Sequence, residues 1–503
     1  MDIWQEMGGE AWAKPLQIQL TATKSLLREK LKRLLSDTEL NQVQDDIRLL
    51  QNQDPSSVNE LFDGLAKKEQ EMESFFKEEE TWEKEGKSQI LFTSEWAKPL
   101  NDIPFLLPAA AIFKMYIFPF FAVIIPLLSW IFPWVILRVF FNMNMPFSTY
   151  KTMMMDIWLG GMRWEQMDMW KQMRVVFQTA WTGFGLYQSI HQPIQQAIHI
   201  QSLHATIQTR GKLLQQFVVD SKKLFAEISN RLGRKIESPF LDAIPTIEPI
   251  QTYAYIRDHP NDLKWILRKI AEYELLWRLA SCTELCLPTY SKGLSLEMNE
   301  FFDPSIPSHL RVKSNLHLKS KHHCLLTGPN QGGKSSTLRA ILLNVYLAQR
   351  LGVAFAKSMT LSRFTWWQSG LRLADKPGER SLFEREVLFS KETLALTKTR
   401  GYGLVLYDEC FHSTNPPDGE KTARIFLSHL WKSPTTISII SSHVFSLVES
   451  APDAVERLCV PAEKTDDGIR YTFTLTPGIC KVSSVEEIYK KYGFPLSAVK
   501  AHV

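Results

Sequence analysis

The sequence predicts an α/β chain: a C-terminal domain on a mixed, largely parallel sheet, preceded by a long α-helical lever region and a hydrophobic membrane segment. Three observations predict it. A short apolar run, "HHCLLTG", passes through a glycine-rich loop into a helix, "SSTLRAILLNVYLAQRL". Two further runs, "GYGLVLYDE" and "TTISIISSH", are apolar and end in ionisable residues, as strands buried on both faces of a parallel sheet do. Upstream, residues 103–141 carry only two charges, Lys114 and Arg138.

The chain has 503 residues, room for about three domains. Its composition, 45% hydrophobic and 22% charged, requires no large disordered part. A net charge of +4 is too small to imply a nucleic-acid partner by itself. The six cysteines form no CxxC pair and read as reduced thiols. Cys282 and Cys286, four apart in a stretch read as helical, make a poor zinc site without further ligands. With Asp2, Glu6 and Glu10 before any apolar run, the N-terminus reads as neither a secretory signal nor a typical Arg-rich transit peptide.

Residues 1–100 read as a polar helical region. Leu20, Leu27, Leu31 and Leu34 recur at helical spacing, so one stripe can bury against a partner helix. The charge-dense "AKKEQEMESFFKEEETWEKEGK" reads as a solvated helix or short coiled coil, open to a protein partner. Residues 101–141 form the membrane segment, inserted through 103–141. Between Lys114 and Arg138 lie 23 uncharged residues, and roughly 20 cross a bilayer core. Tyr116, Trp130 and Trp134 sit near its ends, where aromatic rings favour the interface. Pro119, Pro126 and Pro133 recur every seven residues and favour kinks, so the segment either spans once or bends back as a re-entrant hairpin. Lys98 and Lys114 precede the apolar run and Arg138 and Lys151 follow it, so flanking charge does not orient it. In the lever region, 142–298, the Met- and Trp-rich start (142–190) suits either an interfacial helix or a Met-filled core. Long amphipathic helices follow.

Residues 299–503 hold the chemistry. Gly328, Pro329, Asn330, Gln331, Gly332, Gly333, Lys334, Ser335 and Ser336 form a GxxxxGKS loop between strand and helix. In such a loop backbone N–H groups and the helix N-terminus wrap phosphates, the lysine reaches the β/γ oxygens, and the serine hydroxyl ligates Mg²⁺. ATP and Mg²⁺ are therefore the expected ligands, and residues after 141 must face a nucleotide-containing compartment. Asp408 is placed to complete the magnesium shell and Glu409 to polarise the attacking water. His443, after the third strand, is placed to sense the γ-phosphate.

"TGPNQGGKSS" resembles the phosphate loop of the MutS family of ABC-type ATPases, which characteristically carries Pro-Asn at these positions. "DKPGERSLFEREV" resembles the family's signature segment, through Asp375, Ser381, Phe383 and Glu386. "DECFHSTNPPDGEKTA" resembles its acidic pair and following loop, with Thr414, Asp418 and Gly419 in register. "SSHVFSL" resembles its Thr-His switch. The likeness covers roughly residues 270–495. It implies a homodimer formed through the ATPase domain, with two ATP molecules sandwiched and Ser381 acting on the partner's nucleotide. It also implies levers that clamp or tether DNA. Three departures stand out. Cys410, Phe411, His412 and Ser413 replace a glycine-rich loop. Arg311 and Val312 stand where an adenine-stacking aromatic is common. Nothing before residue 200 resembles the family's mismatch-binding or connector domains. The expectation is a membrane-anchored ATPase with its catalytic domain in the cytoplasm or another nucleotide-containing compartment. The alternative is an ATP-driven membrane-organising switch without a nucleic-acid role.

Overall fold

The computed structural model describes residues 7, 9–103, 105–158, 164–371, 381–465, 468–484, 488–489 and 492–493, without the side chains of 76–88, 102 and 127. They form two compact units. One comprises Met1–Ser57, Asn230–Arg234 and Ile270–Val503; the other comprises Val58–Ser229 and Lys235–Lys269. These boundaries differ from the linear division read in the sequence, because long-range contacts join the first 57 residues to the α/β domain.

The principal helices before the sheet are α1 (Thr21–Lys30), α2 (Asp37–Leu50), α3 (Ser56–Ile90), α4 (Leu106–Ile112), α5 (Phe118–Val139), α6 (Phe147–Trp158), α7 (Met169–Leu232), α8 (Pro249–Asp258) and α9 (Pro260–Ser281). The apolar stripe of the N-terminus is buried, with Leu20, Leu27 and Leu31 almost inaccessible. A capping box starts α2: Ser36 accepts from the Glu39 N–H, and the Glu39 carboxylate accepts from the Ser36 N–H.

The α/β domain holds two larger sheets. Its strands are β1 (Thr289–Ser291), β2 (Leu296–Phe301), β3 (Ser314–Leu318), β4 (His323–Thr327), β5 (Ser358–Ser362), β6 (Phe364–Gly370), β7 (Tyr402–Tyr407), β8 (Thr436–Ser441), β9 (Val455–Cys459), β10 (Ala462–Thr465), β11 (Gly468–Tyr471) and β12 (Thr476–Pro477). The main sheet runs β12-β9-β4-β8-β7-β6. Its pairs from β9 to β6 are parallel, and only β12 is antiparallel. A mixed sheet, β1-β5-β2-β3, packs into the same apolar core, and β10-β11 is a separate hairpin. Every residue of β4 and β8 is buried, the both-faces-covered pattern of a sheet flanked by helices. The helices of this domain are α10 (Lys334–Leu351), α11 (Leu382–Leu396), α12 (Pro416–Leu430) and α13 (Phe445–Glu449).

Residues 1–57 are hydrogen-bonded onto this domain. Tyr346 on α10 donates its hydroxyl to the Leu31 carbonyl (2.7 Å), and the Leu35 N–H donates to the Gln349 carbonyl (3.2 Å). The Gln44 amide donates to the carbonyls of Pro288 (2.8 Å) and Gly352 (3.2 Å). The fully buried Glu274 carboxylate accepts the N–H groups of Gln19 (2.8 Å) and Leu20 (3.2 Å). Buried groups of this kind are costly to leave unpaired, so the contact specifies one seat for the N-terminus.

The second unit is helical among its described residues. A π-type turn at Phe113–Ile117 joins α4 to α5, so helix runs without interruption from 106 to 139. Pro126 and Pro133 lie inside it and no reversal occurs, so the re-entrant hairpin expected as one option is absent. The segment Leu106–Pro126 is long and apolar enough to cross a membrane, and most of its side chains are not buried. Among the described residues of 142–190 the Met-filled core expected as one option is not found, since Met153, Met155, Met169 and Met173 are exposed and, of the methionines, only Met167 is buried.

Candidate nucleotide-binding site

Three adjacent parallel strands carry the expected residues to one edge of the sheet. Leu326, near the end of β4, is paired with Ser441 at the end of β8, and Tyr407 at the end of β7 is paired with Ile440. The phosphate-type loop, His443 and the Asp408-Glu409 pair therefore emerge side by side at the strands' carboxyl ends, where open α/β sheets bind ligands.

The loop's shape depends on backbone conformations that favour glycine. Gly328 has φ 154° and Gly333 has φ 96°. A Cβ on Gly328 would come within 3.0 Å of the Val460 carbonyl oxygen, and one on Gly333 within 3.0 Å of the Phe473 ring. Lys334 opens α10, is buried, and donates to the carbonyls of Gly328 (3.0 Å) and Pro329 (3.2 Å). Burial pulls its pKa down, while the negative charges of Glu409 and Asp408 oppose that shift. Ser335 is exposed at the helix N-terminus and Ser336 is half-buried. The exposed Asn330 accepts a Ser484 hydroxyl at its carbonyl (3.2 Å), while Pro329 and Gly332 are buried.

Across from the loop, Ser441 fixes the acidic pair. Its hydroxyl donates to Asp408 and accepts from the Glu409 N–H at 2.8 Å. Glu409 itself sits at φ 51°, a strained conformation for a non-glycine residue. Its Oε1 lies 2.9 Å from His443 Nε2. That hydrogen bond, reinforced by the charges of Lys334 and His412, holds the Glu409 carboxyl below the usual glutamate range. The following loop is anchored rather than loose: Cys410 and Phe411 are buried, and Phe411 packs against Phe426 and Tyr407. Gly419 is required there, because a Cβ would meet the Phe411 carbonyl oxygen at 2.5 Å.

Ser381 is exposed as the N-cap of α11, its hydroxyl accepting from the Glu384 N–H (3.3 Å). One turn on, buried Glu386 accepts the Ser413 hydroxyl and lies 3.5 Å from His412 Nδ1, linking the signature helix to the loop after the acids. Asp375 falls outside the described residues.

A cavity of about 360 Å³ opens beside the loop, lined in part by Phe302, Ile306, Val312, Gln331, Ser336 and Phe473. Its volume is within the range of small-molecule sites. Val312 is where the sequence placed it, but Arg311 does not line this cavity. Its guanidinium stacks over Phe302 (4.6 Å to the ring centroid), pairs with Glu284 (2.6 Å) and donates to the carbonyls of Ile306 and Pro304. The apolar rings lining the cavity are Phe301, Phe302 and Phe473, none singled out from sequence. Cys282 and Cys286 lie beyond the end of α9 rather than in a helix, with Cys286 bridged to Ala354. All six cysteines are free thiols.

The site fits Mg²⁺ with a triphosphate: an exposed hydroxyl on Ser335, a carboxylate on Asp408, and a lysine at a helix N-terminus. Fold and site thus define a phosphate-loop nucleotide-binding α/β domain. Residues 324–502 match the family described as MutS domain V, a phosphate-loop ATPase domain. Through that domain the chain is similar to the MutS family. The "DNA mismatch repair protein MSH1, mitochondrial" of Arabidopsis thaliana is 30% identical over 180 residues, 35% of this chain and 16% of that protein. The "DNA mismatch repair protein MutS" of Shouchella clausii is 27% identical over 210 residues, 40% of this chain and 23% of that protein. The "DNA mismatch repair protein MSH3" of Chaetomium globosum is 27% identical over 296 residues, 54% of this chain and 24% of that protein. The matched part of this chain spans a quarter or less of each of these relatives.

Proposed function

We propose that the chain is a Mg²⁺-dependent ATP hydrolase of the MutS type, held at a membrane through 103–141, whose ATPase domains pair around ATP and switch helices that clamp or tether DNA. The observation that carries the reading is the convergence of Lys334, Asp408, Glu409 and His443 on the carboxyl ends of adjacent parallel strands. Lys334 leaves its loop carbonyls for the β- and γ-phosphate oxygens. Glu409, ionised and oriented by His443, takes a proton from the water attacking the γ-phosphorus as the bond to the ADP oxygen breaks. Mg²⁺ held by Ser335 and Asp408 would neutralise charge on the phosphates. Phe302, Phe473 and Val312 offer the base an apolar slot.

The exposure of Ser381 at a helix N-terminus supports its use on a partner's nucleotide. ATP binds the closed pair more tightly than the open one, so binding shifts the population toward closure and hydrolysis resets it. The names of the relatives support DNA as the partner, and the exposed Lys212, Lys235 and Lys319 of the basic runs "RGK", "RLGRK" and "KSKHH" offer phosphate contacts. The apolar, exposed helix through 106–139 supports the membrane anchor. The test is ATP turnover of the detergent-solubilised chain with duplex, branched and single-stranded DNA at two salt concentrations. Stimulation that fades steeply with salt is the expected result, because phosphate contacts release counterions. Turnover indifferent to every DNA, yet responsive to lipid, would instead favour the membrane-organising switch.

A further inference from the structure

We infer that the chain crosses the bilayer twice, as a helical hairpin whose second limb is the first half of α7, with the N-terminal 57 residues and the ATPase domain on one side. This rests on the membrane reading above. A single crossing would separate residues 1–57 from residues after 141. The structure joins them in one compact unit through buried hydrogen bonds to Tyr346, Gln44 and Glu274. The number of crossings between them must be even.

The second limb is marked by where burial stops. Along the first limb, Leu107 and Ala111 are buried and Ile112, Phe113 and Phe118 are exposed. Along α7 the same switch occurs at Ile200. Leu203, Ile207, Leu214 and Phe217 beyond it are buried, whereas Met173, Phe177, Trp181, Phe184, Ile194 and Ile198 before it are exposed. The two switch points lie at one level, because Phe113, Lys114, Phe118, Pro193, Gln196 and Ile200 line a single cavity of about 440 Å³. From that level, Lys114 to Val139 rises about 38 Å and Ile200 back to Met169 about 46 Å at 1.5 Å per residue, so both limbs clear a ~30 Å hydrocarbon core.

Charge follows the same boundary. No Asp, Glu, Lys or Arg occurs from Val175 to Thr209, and Lys171 and Arg174 precede that stretch as Arg138 ends the first limb. Trp134, Trp158, Trp164 and Trp170 cluster in sequence around the far ends, as rings at a bilayer interface do. There α6 is tied to both limbs: Tyr150 donates its hydroxyl to the Trp130 carbonyl (2.9 Å), and the Trp158 indole donates to the Thr179 hydroxyl (3.1 Å). From Val175 to Ile200 the polar residues of the second limb are amides, hydroxyls, His191 and His199, groups that helices in lipid satisfy against one another.

The test adds single cysteines, Asn41→Cys, Asn144→Cys and Lys398→Cys, to the full chain in sealed proteoliposomes and labels them with a membrane-impermeant maleimide before and after detergent. Asn41→Cys and Lys398→Cys should label together from one side, and Asn144→Cys only from the other. Labelling of Asn41→Cys and Lys398→Cys from opposite sides would overturn the inference in favour of one crossing. Labelling of all three from one side, in protein that resists carbonate extraction, would overturn the second limb while leaving the anchor. Protein stripped from vesicles by carbonate would remove the membrane reading itself.

Discussion

The main sheet and the long helices at 106–139 and 169–198 are built from the same apolar residue types with opposite fates. In β4 and β8, Leu325, Leu326, Ile437, Ile439 and Ile440 are all within 2% of complete burial. In the helices, Phe120, Ile125, Phe132, Phe177 and Trp181 are each about half or more exposed. The sheet hides its side chains in protein, while the helices leave theirs exposed, as surfaces that meet a partner or a membrane do. Apolar content alone does not say which solvent a segment is made for. The charged residues do: they punctuate the sheet strand by strand and are missing from the helices for more than twenty residues at a time.

Four perturbations break or sharpen this contrast. The largest effect is expected from Ile125→Arg, an arginine on an exposed face within the apolar window. At roughly 3 kcal/mol for a mid-bilayer arginine, vesicle association should fall about 100-fold, measured by flotation, with ATP turnover per molecule unchanged. Unaltered flotation would mean that this face does not meet lipid. Phe473→Ala, on the cavity beside the loop, should raise KM for ATP about tenfold through loss of ~1.4 kcal/mol of stacking and leave kcat near its original value. An unchanged KM would exclude Phe473 from the base slot.

Ser381→Ala and Lys334→Ala chains should each be inactive alone, while a mixed pair retains one complete site and about half the turnover of wild type. Failure to complement would place the signature on its own subunit's nucleotide. The smallest effect concerns His323 on β4, whose ring bonds Ser438 (2.9 Å) and the Ser433 carbonyl. Burial pushes its pKa from 6.5 down to about 4, so the fold prefers the neutral ring. Its contribution is fully present above pH 6.5 and is lost as pH falls from there toward about 4. Tm should therefore decline across that window, and less steeply in His323→Gln. Equal slopes would assign the acid sensitivity to other groups.

The site was legible in the sequence where its chemistry is local in the chain. Lys334, Ser335, Asp408, Glu409 and His443 each sit at the end of a recognisable apolar run, because a parallel sheet presents ligands at strand ends. What escaped depends on proximity through space. Ser441 is an ordinary strand serine until β8 is set beside β7. Phe473 reaches the loop from well over a hundred residues downstream. Arg311 stands where an adenine-stacking aromatic is common, but Glu284 and the carbonyls at 304 and 306 hold its guanidinium. The leucine stripe at the N-terminus announced burial without naming its partner; the fold ties the backbone of Leu31 and Leu35 to α10 and that of Leu20 to Glu274 on α9.

The central claim is that Glu409, held by His443 beside Lys334, is the base of an ATP-hydrolysing site. Steady-state hydrolysis by full-length wild type and Glu409→Gln, with ATP binding measured in parallel, tests it most directly. Turnover should be lower by about 10²–10³-fold in the variant with ATP binding retained. Hydrolysis at the wild-type rate by Glu409→Gln would contradict it.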